Sequence, residues 1–356
     1  MIRKSSGRTQ RPATLADVAR LSGVVAMTAS RAINGSGYVS DEVRKRVLKA
    51  ATQLNYRPNL PARQLKGSKL NAIGILLPDV ANPFSTELVS GVKQVFDEAG
   101  FATFIATTNR SPEQERAGLQ AFCDHRVDGL IVATRGTRIG DSTLKHTAQQ
   151  RIPMVTIGRP VQIPGVDSVT ADHETGAYEV VKHLISLGHR RIGFIGISPE
   201  DGHTLRRYCG YLNALEEAGI RPDSEYTVGP PGAPAFATQE DGYEGLMRLS
   251  RLRKVPTAVF ARNDFAAIGA LRAAHRLGLS VPGDIAIAGF DNIPLASFTT
   301  PPLTTADQSI LRQGIVAARF LLDRIMRNRS IARRSECMPC RLIVRESTDP
   351  HAATPG

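Results

Sequence analysis

The chain has 356 residues, of which 42% are hydrophobic and 22% charged, and its formal net charge at pH 7 is +12. That length exceeds what one hydrophobic core normally supports, so we expect two or three domains of an ordinary globular protein. No segment approaches the ~20 consecutive apolar residues of a transmembrane helix, and the N-terminus lacks the apolar region of a signal peptide. These features exclude a membrane partner and favour the cytoplasm.

The positive charge is concentrated near the N-terminus. Residues 1–69 contain 14 Lys and Arg against 3 Asp and Glu, whereas the remainder contains 31 against 30. A nearly neutral body with a basic head is typical of proteins that bind a polyanion through the head alone. A solvated basic face is the simpler alternative, and a DNA-binding motif in the same segment would decide against it.

The four cysteines are too few for a disulfide scaffold. Cys337 and Cys340 form a lone CxxC, and a structural zinc site would need two more ligands at suitable spacing. Cys123 and Cys209 lie in apolar helical patterns, where a cysteine is expected to be a small core residue. We therefore expect no metal, no cofactor and no redox chemistry.

In chain order, residues 1–12 are polar and basic and are predicted to be disordered. The segment from Thr14 to Asn34, TLADVARLSGVVAMTASRAIN, fits two short helices. Thr14 is a suitable N-cap for the first helix, and Gly23 fits the turn because glycine adopts the left-handed conformation without a Cβ penalty. This is the pattern of a helix-turn-helix (motif residues 15–34), whose second helix lies in the major groove of DNA.

A third helix is predicted from Asp41 to Leu54, capped by Ser40. Its apolar stripe would consist of Val43, Val47, Leu48, Ala51 and Leu54. Next, Pro61 can open a short helix that runs to Lys66 and ends at Gly67. A helix of about six residues is not stable alone in water, so it would form only when docked, which makes it a switchable element.

From Ala72 onward, short apolar strands alternate with amphipathic helices. Ser111 is expected to cap one of these helices, with Gln114 reaching back to the cap. The predicted strands are 72–77, 101–107, 129–133, 153–157, 191–196, 257–261 and 285–290, and the predicted helices are 85–99, one from 112, 175–187, 205–218 and 264–277. This alternation predicts parallel sheets covered on both faces, in two doubly wound α/β lobes with a ligand crevice at the carboxyl ends of the strands.

Over residues 13–347 the sequence resembles the LacI/GalR family of bacterial transcription regulators. The carrying motifs are TLADVARLSGV, LNYRPN, IGILLPDVANPF, LGHRRIGFIG, NDFAAIGAL and VPGDIAIAGFDN. The resemblance implies a hinge helix and a periplasmic-binding-protein-like core. The expected divisions are a helix-turn-helix domain (13–57), hinge and linker (58–69), first core subdomain (70–171 plus 304–330), second core subdomain (172–303 plus 331–346) and tail (347–356).

The resemblance also implies a set of DNA contacts. Arg31 is chemically the best candidate to read a guanine, and a surface ion pair is its alternative. Leu65 matches the family's leucine that wedges into the minor groove and kinks a near-palindromic operator, and packing of hinge against hinge is its alternative. The implied DNA-binding residues are Thr14, Ala26, Met27, Thr28, Ser30, Arg31, Asn34, Tyr38, Asn59, Ala62 and Leu65.

Two positions in the head depart from the family pattern. Val25 stands where the family usually has a Ser or Thr cap, whose loss typically costs ~1 kcal/mol. Ala29 replaces the usual Val of the small core. Both predict a weaker head. Ala26 and Met27 have little hydrogen-bonding power, so they would read thymine methyl groups or leave readout to Arg31 and DNA shape.

In the crevice, the resemblance implies that an effector contacts Phe84, Ser85, His203, Arg207, Asn263, Asp291 and Gln308. Arginine, aspartate and asparagine together supply donors and acceptors, which suits a sugar or sugar acid. Asp291 could instead be only a capping residue. Gly158 stands where the family often has Asp, so one acceptor for a sugar hydroxyl is expected to be absent.

The leading interpretation is a ligand-gated repressor that binds a double-stranded operator as a homodimer and is nucleoid-associated while bound. The end of the chain lacks leucine heptads, which favours a dimer over a tetramer. A sugar-binding module with a vestigial head is the second hypothesis. An enzyme is not expected, because GxGxxG, GxSxG and GxxxxGK[ST] motifs are all missing from the sequence.

Overall fold

The computed structural model describes residues 11, 13–35, 37–56, 70–109, 111–133, 138–158, 160–197, 202–229, 238–327, 332–349 and 351, with only the backbone at 138–141 and 202–204. They belong to two compact units, Met1–Leu70 and Asn71–Gly356. The predicted basic tail (1–12), except Arg11, and the predicted hinge lie outside the described residues. Within the described part of the chain, no helix is long and apolar enough to span a membrane.

The first unit is a small helical head, in which the described residues form α1 (Leu15–Ser22), α2 (Ala26–Asn34) and α3 (Asp41–Gln53). Thr14 caps α1 in a reciprocal capping box with Asp17, and Gly23 ends it in the left-handed conformation with φ 67°. Both features agree with the prediction from sequence. The core is made by small side chains, namely Val18, Ala19, Ala29, Ala32, Val47 and Ala50.

Helix α3 corrects two expectations. The side chain of Ser40 makes no capping hydrogen bond, although its backbone occupies the N-cap position. Leu48 is 46% exposed, whereas Ala50 is buried. Successive residues of a helix are rotated by 100° about its axis. Leu48 therefore lies beside the apolar stripe centred on Val47, whereas residues 43, 50, 51 and 54 lie within that stripe.

The first lobe of the second unit is built on a six-stranded parallel sheet in the order β11-β5-β4-β3-β1-β2. Every residue of β1 is buried because helices cover both faces. The strands are β1 (Ala72–Leu77), β2 (Ala102–Thr107), β3 (Gly129–Val132), β4 (Met154–Ile157), β5 (Val166–Ala171) and β11 (Ser335–Met338). The helices are α4 (Pro83–Glu98), α5 (Pro112–Asp124), α6 (Arg138–Gln149) and α11 (Ile310–Met326).

The second lobe contains a four-stranded parallel sheet in the order β7-β6-β8-β9, and a short antiparallel pair, β10 and β12, lies beside it. The strands are β6 (Ile192–Ile195), β7 (Thr227–Val228), β8 (Ala258–Ala261), β9 (Ala286–Ala288), β10 (Thr305–Asp307) and β12 (Arg341–Ile343). The helices are α7 (His173–Ser186), α8 (Gly202–Glu217), α9 (Gln239–Leu249) and α10 (Asp264–Leu277). The predicted two-lobed, doubly wound α/β class is confirmed.

The chain crosses between the lobes differently from the expected divisions. Strand β11 pairs with β5 in the first lobe, although residues 331–346 were assigned to the second. Conversely, β10 lies in the second lobe beside β9 and β12, although residues 304–330 were assigned to the first. Ser347 and Thr348, assigned to the tail, are buried in the second lobe, where Ser347 Oγ donates to the carbonyl of Ile287. Their partners are distant in sequence, which hides both features from local patterns.

Smaller corrections concern helix ends and one cysteine. Helix α4 begins at Pro83 rather than Ser85, because Asn82 accepts a hydrogen bond from the Phe84 amide. Ser111 caps α5 as expected, but the Gln114 side chain bonds Asn109 instead of reaching back. Cys209 is exposed, so it is not the core residue expected, and Cys123 is half-buried.

Two helix pairs approach each other at a glycine on each of the two helices. A Cβ on Gly91 of α4 would collide with the carbonyl of Leu311, and one on Gly314 of α11 would collide with that of Leu88. In the second lobe, Gly242 of α9 and Gly269 of α10 are placed in the same reciprocal way. Each pair therefore packs backbone against backbone, which excludes any larger residue.

Candidate functional site

The exposed surface of α2 carries the residues expected to read DNA. Ala26, Met27, Arg31 and Asn34 are exposed, whereas Thr28 and Ser30 are partly buried. The Asn34 amide donates to Ser30 Oγ over 3.2 Å. After α2, Tyr38 is 95% exposed. The structure thus groups the polar side chains of α2 on its solvent side, opposite the small buried alanines.

Arg31 has no acidic partner among the described residues, so the surface ion pair considered for it does not form there. Its aliphatic part lies over Gly37, where a Cβ would stand 3.4 Å from the Arg31 Cδ. The guanidinium at the end of this supported stem is available to a phosphate or a guanine edge.

The start of α2 has no side-chain cap. Val25 occupies the N-cap position with φ −72° and ψ 153°, and its side chain is 69% exposed. The first amides of the helix therefore lack the oxygen that Ser or Thr would supply. By contrast, the Thr14 hydroxyl is engaged in its own cap and donates to Asp17 Oδ2 over 2.7 Å. The other expected DNA contacts, Asn59, Ala62 and Leu65, lie outside the described residues.

In the second unit, three of the expected effector residues meet at one carboxylate. Arg207 of α8 donates from Nη2 to Asp291 Oδ1 over 3.0 Å, and Gln308 donates from Nε2 to the same oxygen over 2.6 Å. All three side chains are at least nine-tenths buried. Arg207 lies on α8, Asp291 lies in the loop after β9, and Gln308 lies directly after β10. Asp291 is therefore not merely a capping residue.

Arg207 is held by residues that sequence reasoning missed. Its guanidinium lies over the ring of Phe290, 3.9 Å from the centroid, and its Nη2 lies 3.4 Å from His173 Nδ1. Its Nη1 donates to the carbonyl of Arg262. Only its Nε is buried without a partner among the described residues. Phe290 directly precedes Asp291, an expected site residue, and this was the signal available for it. His173 opens α7 and has no expected site residue next to it, so no signal for it was present in the sequence.

On the first lobe's side, α4 and α11 carry further polar groups. Ser85 Oγ and Glu87 Oε2 are buried without partners among the described residues. Burial, together with the charges of Asp307 and Asp291, raises the pKa of Glu87. Gln313 donates to the backbone carbonyl of Gln308 over 2.8 Å. Glu87 and Gln313 were not among the expected site residues. The hydrogen bond of Gln313 and the charge interaction of Glu87 connect helices of the first lobe to the Asp291 cluster.

The remaining expected residues have other surroundings. Asn263 Oδ1 accepts from the Ala266 amide over 3.0 Å and caps α10. Phe84 is half-buried and packs on the core of the first lobe. The side chain of His203 lies outside the described residues. Gly158 has φ 74°, in the left-handed region that favours glycine.

The crevice has the chemistry of a binding site. A buried arginine, a carboxylate and an amide offer donors and acceptors to a polar ligand. Among the described residues, no group of three or more His, Cys, Asp and Glu side chains could hold a metal. A helix-turn-helix unit and a two-lobed core with such a crevice in one chain define a ligand-responsive DNA-binding regulator.

Comparison with known proteins agrees with this class. Residues 14–59 match the model for bacterial regulatory proteins of the lacI family, and residues 181–348 match a periplasmic binding protein-like domain. The chain is 36% identical to the HTH-type transcriptional regulator DegA of Bacillus subtilis (strain 168), over 95% of this chain and 98% of the relative.

Solved structures give the same picture over almost the whole chain. The Lac repressor dimer bound to operator and the anti-inducer ONPF matches with a TM-score of 0.82 and 28% identity, over 95% of this chain and 99% of that chain. The transcriptional regulator CelR–cellobiose complex matches with a TM-score of 0.69 and 30% identity, over 94% and 99%.

The chain therefore belongs to the LacI family. It is a DNA-binding transcriptional regulator with an effector-binding core, and not an enzyme.

Proposed function

We propose that the protein is a homodimeric repressor whose affinity for a near-palindromic operator is controlled by a sugar or sugar acid bound between the lobes. The convergence of Arg207 and Gln308 on Asp291 carries this proposal. Each of the three side chains is buried and polar, and a small number of convergent polar groups is what a small-molecule site uses to orient its ligand.

The chemistry of this cluster favours a ligand rich in hydroxyl groups. Asp291 can accept from vicinal hydroxyls, and Arg207 can donate to a ring oxygen or a carboxylate. The regulator CelR forms a complex with cellobiose, which supports a sugar as the class of effector here. Because Gly158 brings no acceptor, the remaining polar contacts would fall to Ser85, Asn263, Gln308 and, from its helix position, His203.

Control of DNA binding would pass through the crossovers between the lobes. A ligand that contacts both lobes favours the closed arrangement by its differential affinity for the two states. Closure would shift the first lobe, from whose β1 the chain leads back toward the predicted hinge at 58–69. Docking and release of that hinge would be an order–disorder switch.

The proposed DNA contacts are those of the head and hinge. Thr28, Ser30 and Arg31 would contact bases and phosphates from α2, with Ala26 and Met27 facing thymine methyl groups. The sugar-phosphate backbone of the DNA would be held by Thr14, Asn34, Tyr38, Asn59 and Ala62. Leu65 would insert in the minor groove. The operator-bound Lac repressor dimer supports two heads on a two-fold site.

The effector is tested by a thermal-shift screen of the full chain with neutral sugars, sugar acids and, as a contrasting class, nucleobases. A true effector at 100 times its dissociation constant adds ~2.7 kcal/mol to stability. We expect a sugar or sugar acid to raise the Tm of the wild type and not that of Arg207→Ala. A shift by nucleobases alone, or an equal shift in the variant, would overturn the assignment.

Operator binding is tested separately, by selection of duplexes from a random pool and by gel shift at two salt concentrations. A working dimer should select an inverted repeat and lose affinity steeply with salt. Leu65→Ala should weaken binding to the selected site and reduce DNA bending. Weak binding without sequence preference would favour the alternative of a sugar-binding module with a vestigial head.

A further inference from the structure

The loop that carries Asp291 has an unusual backbone. Asp291 has φ 119° and Asn292 has φ 54°, both in the region that favours glycine. Residues with a Cβ adopt such angles only where the surrounding structure imposes them. The orientation of the Asp291 carboxylate toward Arg207 and Gln308 therefore depends on whatever holds residues 291–293.

One part of that support comes from the C-terminal segment. Arg345 is buried, and its Nη2 donates to Asn292 Oδ1 over 2.9 Å while its Nη1 donates to the carbonyl of Leu303 over 2.7 Å. Its own amide donates to Thr304 Oγ1 over 2.8 Å. One guanidinium thus ties the loop to the strand segment that runs beside it.

The other part comes from the start of α10. Asp264 is fully buried; its Oδ2 accepts from the Ile293 amide over 2.9 Å and its Oδ1 from Thr305 Oγ1 over 2.5 Å. The Thr305 hydroxyl lies 3.3 Å from the Asn292 amide, which donates to it. The Asp291 amide donates to the carbonyl of Ala306 over 2.9 Å. All three amides of the loop are therefore engaged, two of them through Asp264 and Thr305.

The segment around Arg345 is itself anchored. Ser347 Oγ donates to the carbonyl of Ile287 over 2.6 Å and accepts from the Thr304 amide over 2.8 Å. Thr348 and Thr304 join their hydroxyls over 2.7 Å. Residues 345–348 are thus fixed to β9 and to the strand segment that leads into β10, and they offer Arg345 a rigid base.

We propose that Arg345 and Asp264 are positioning residues of the effector site, which hold the 291–293 loop in its left-handed conformation so that Asp291 faces the crevice. The C-terminal segment 345–348 is then a working part of the site. This inference rests on the proposed function only in naming the crevice an effector site, because the loop geometry is independent of the ligand.

The first experiment measures amide hydrogen exchange in the ligand-free full chain. In Arg345→Met, the loop loses the Asn292 contact, and the amides of residues 291–293 should exchange at least about tenfold faster than in the wild type, through local opening. Arg345→Lys keeps the charge but only a single donor group, so it should recover part of the protection. Arg341→Met is the matched control, because Arg341 is exposed on β12.

Asp264→Asn supplies an independent variant. Asparagine preserves the shape but replaces one carboxylate oxygen by an NH2 group, which can donate but not accept. Either the Ile293 amide or the Thr305 hydroxyl therefore loses its acceptor, and because Thr305 also accepts from the Asn292 amide, the amides of residues 292 and 293 together should exchange faster. Unchanged loop exchange in both Arg345→Met and Asp264→Asn would overturn the proposal. Equal acceleration throughout the second lobe would do the same, since it would show a general structural role.

The second experiment adds ligands, with cellobiose, glucose, galactose, ribose, gluconate and galacturonate as probes. Any probe that shifts the wild-type Tm should lose at least about tenfold in affinity in Arg345→Met, with Arg341→Met unchanged and operator binding retained. Full affinity in Arg345→Met would overturn the positioning role. If no probe shifts the wild type, the sugar assignment fails, while loop exchange still decides the role of Arg345 and Asp264.

Discussion

The two lobes share one architecture but treat a buried aspartate in opposite ways. In the first lobe, Arg324 donates to both oxygens of Asp167, from Nε over 2.7 Å and from Nη2 over 2.5 Å, and Arg334 adds Nη2 over 2.8 Å. In the second lobe, Asp264 accepts from a neutral amide and a neutral hydroxyl. Both carboxyl groups have no exposed surface.

The pKa values of the two aspartates are shifted in opposite directions. Burial alone would raise the pKa of Asp167, but the hydrogen bonds from Arg324 and Arg334 outweigh it and lower that pKa. Burial and the nearby charge of Asp291 raise the pKa of Asp264 to about 7, against the opposing influence of Thr305, Ile293 and Arg345. In the first lobe, the charge of Asp167 is compensated by two arginines and ties β5 to α11 and to the start of β11. In the second lobe, the charge of Asp264 has no such compensation, and Asp264 lies beside the crevice.

The largest effect should come from breaking the compensated cluster. Asp167→Ala leaves Arg324, which is almost fully buried, without its counter-charge, and we expect a loss of roughly 3–5 kcal/mol in the free energy of unfolding. Urea denaturation of the full chain measures it. Asp323→Ala is the matched control, because Asp323 bonds the same Arg334 from a partly exposed position. It should cost less than about 1 kcal/mol. Similar losses in both variants would show that burial does not separate the two aspartates.

The second effect is a pH dependence of opposite sign in the two lobes. Because the folded pKa of Asp264 is about 7, above its usual 3.8, its contribution to stability is complete below pH 4 and is lost as the pH rises through 7. Asp167 has a lowered folded pKa, so its contribution is present above pH 4 and is lost as the pH falls further.

Thermal unfolding of the wild type and Asp264→Asn between pH 4 and 8 measures the Asp264 part. The wild type should lose Tm relative to the variant as the pH rises. A constant difference in Tm across that range would contradict the raised pKa.

The smallest effect concerns the surplus of carboxylates near the crevice. Burial and the charges of Asp307 and Asp291 raise the pKa of Glu87, so its ionised form is disfavoured. Glu87→Gln should therefore stabilise the ligand-free protein at pH 8, by less than about 1 kcal/mol, and have no such effect at pH 4. Denaturation at both pH values measures it. Destabilisation at pH 8 would indicate that Glu87 has a compensating cation and would weaken the contrast between the lobes.

Elements with strong local signals could be predicted from the sequence. The bounds of β1 and α10 agree with prediction, because an apolar run in the first and an amphipathic pattern with a cap and a final glycine in the second define them. Strand β5 was missed, since its sequence VDSVTA contains Asp167 and reads as a polar loop. The arginines that make this aspartate tolerable in a buried strand lie 157 and 167 residues further along the chain.

The candidate site shows the same limit. Arg207, Asp291 and Gln308 could be named because they stand in family motifs, but their mutual hydrogen bonds could not be foreseen. Asn263 matches a motif as well, yet its side chain serves as a helix cap. Arg345 and Asp264 act on a loop whose left-handed backbone no local sequence pattern predicts. Asp264 bonds a residue 41 positions away in sequence, and Arg345 bonds one 53 positions away.

The reciprocal glycine contacts of α4 with α11 and of α9 with α10 have a mechanical consequence. Where backbones touch directly, no side chain lies between them that could change rotamer and let the helices slide. Each lobe should therefore move as a rigid body when an effector binds. The bending must then be concentrated in the crossovers near Asp172, in the segment from β10 to α11, and between β11 and β12. The antiparallel pair of β10 and β12 joins the second-lobe ends of two of these crossovers, so we expect it to move with the second lobe.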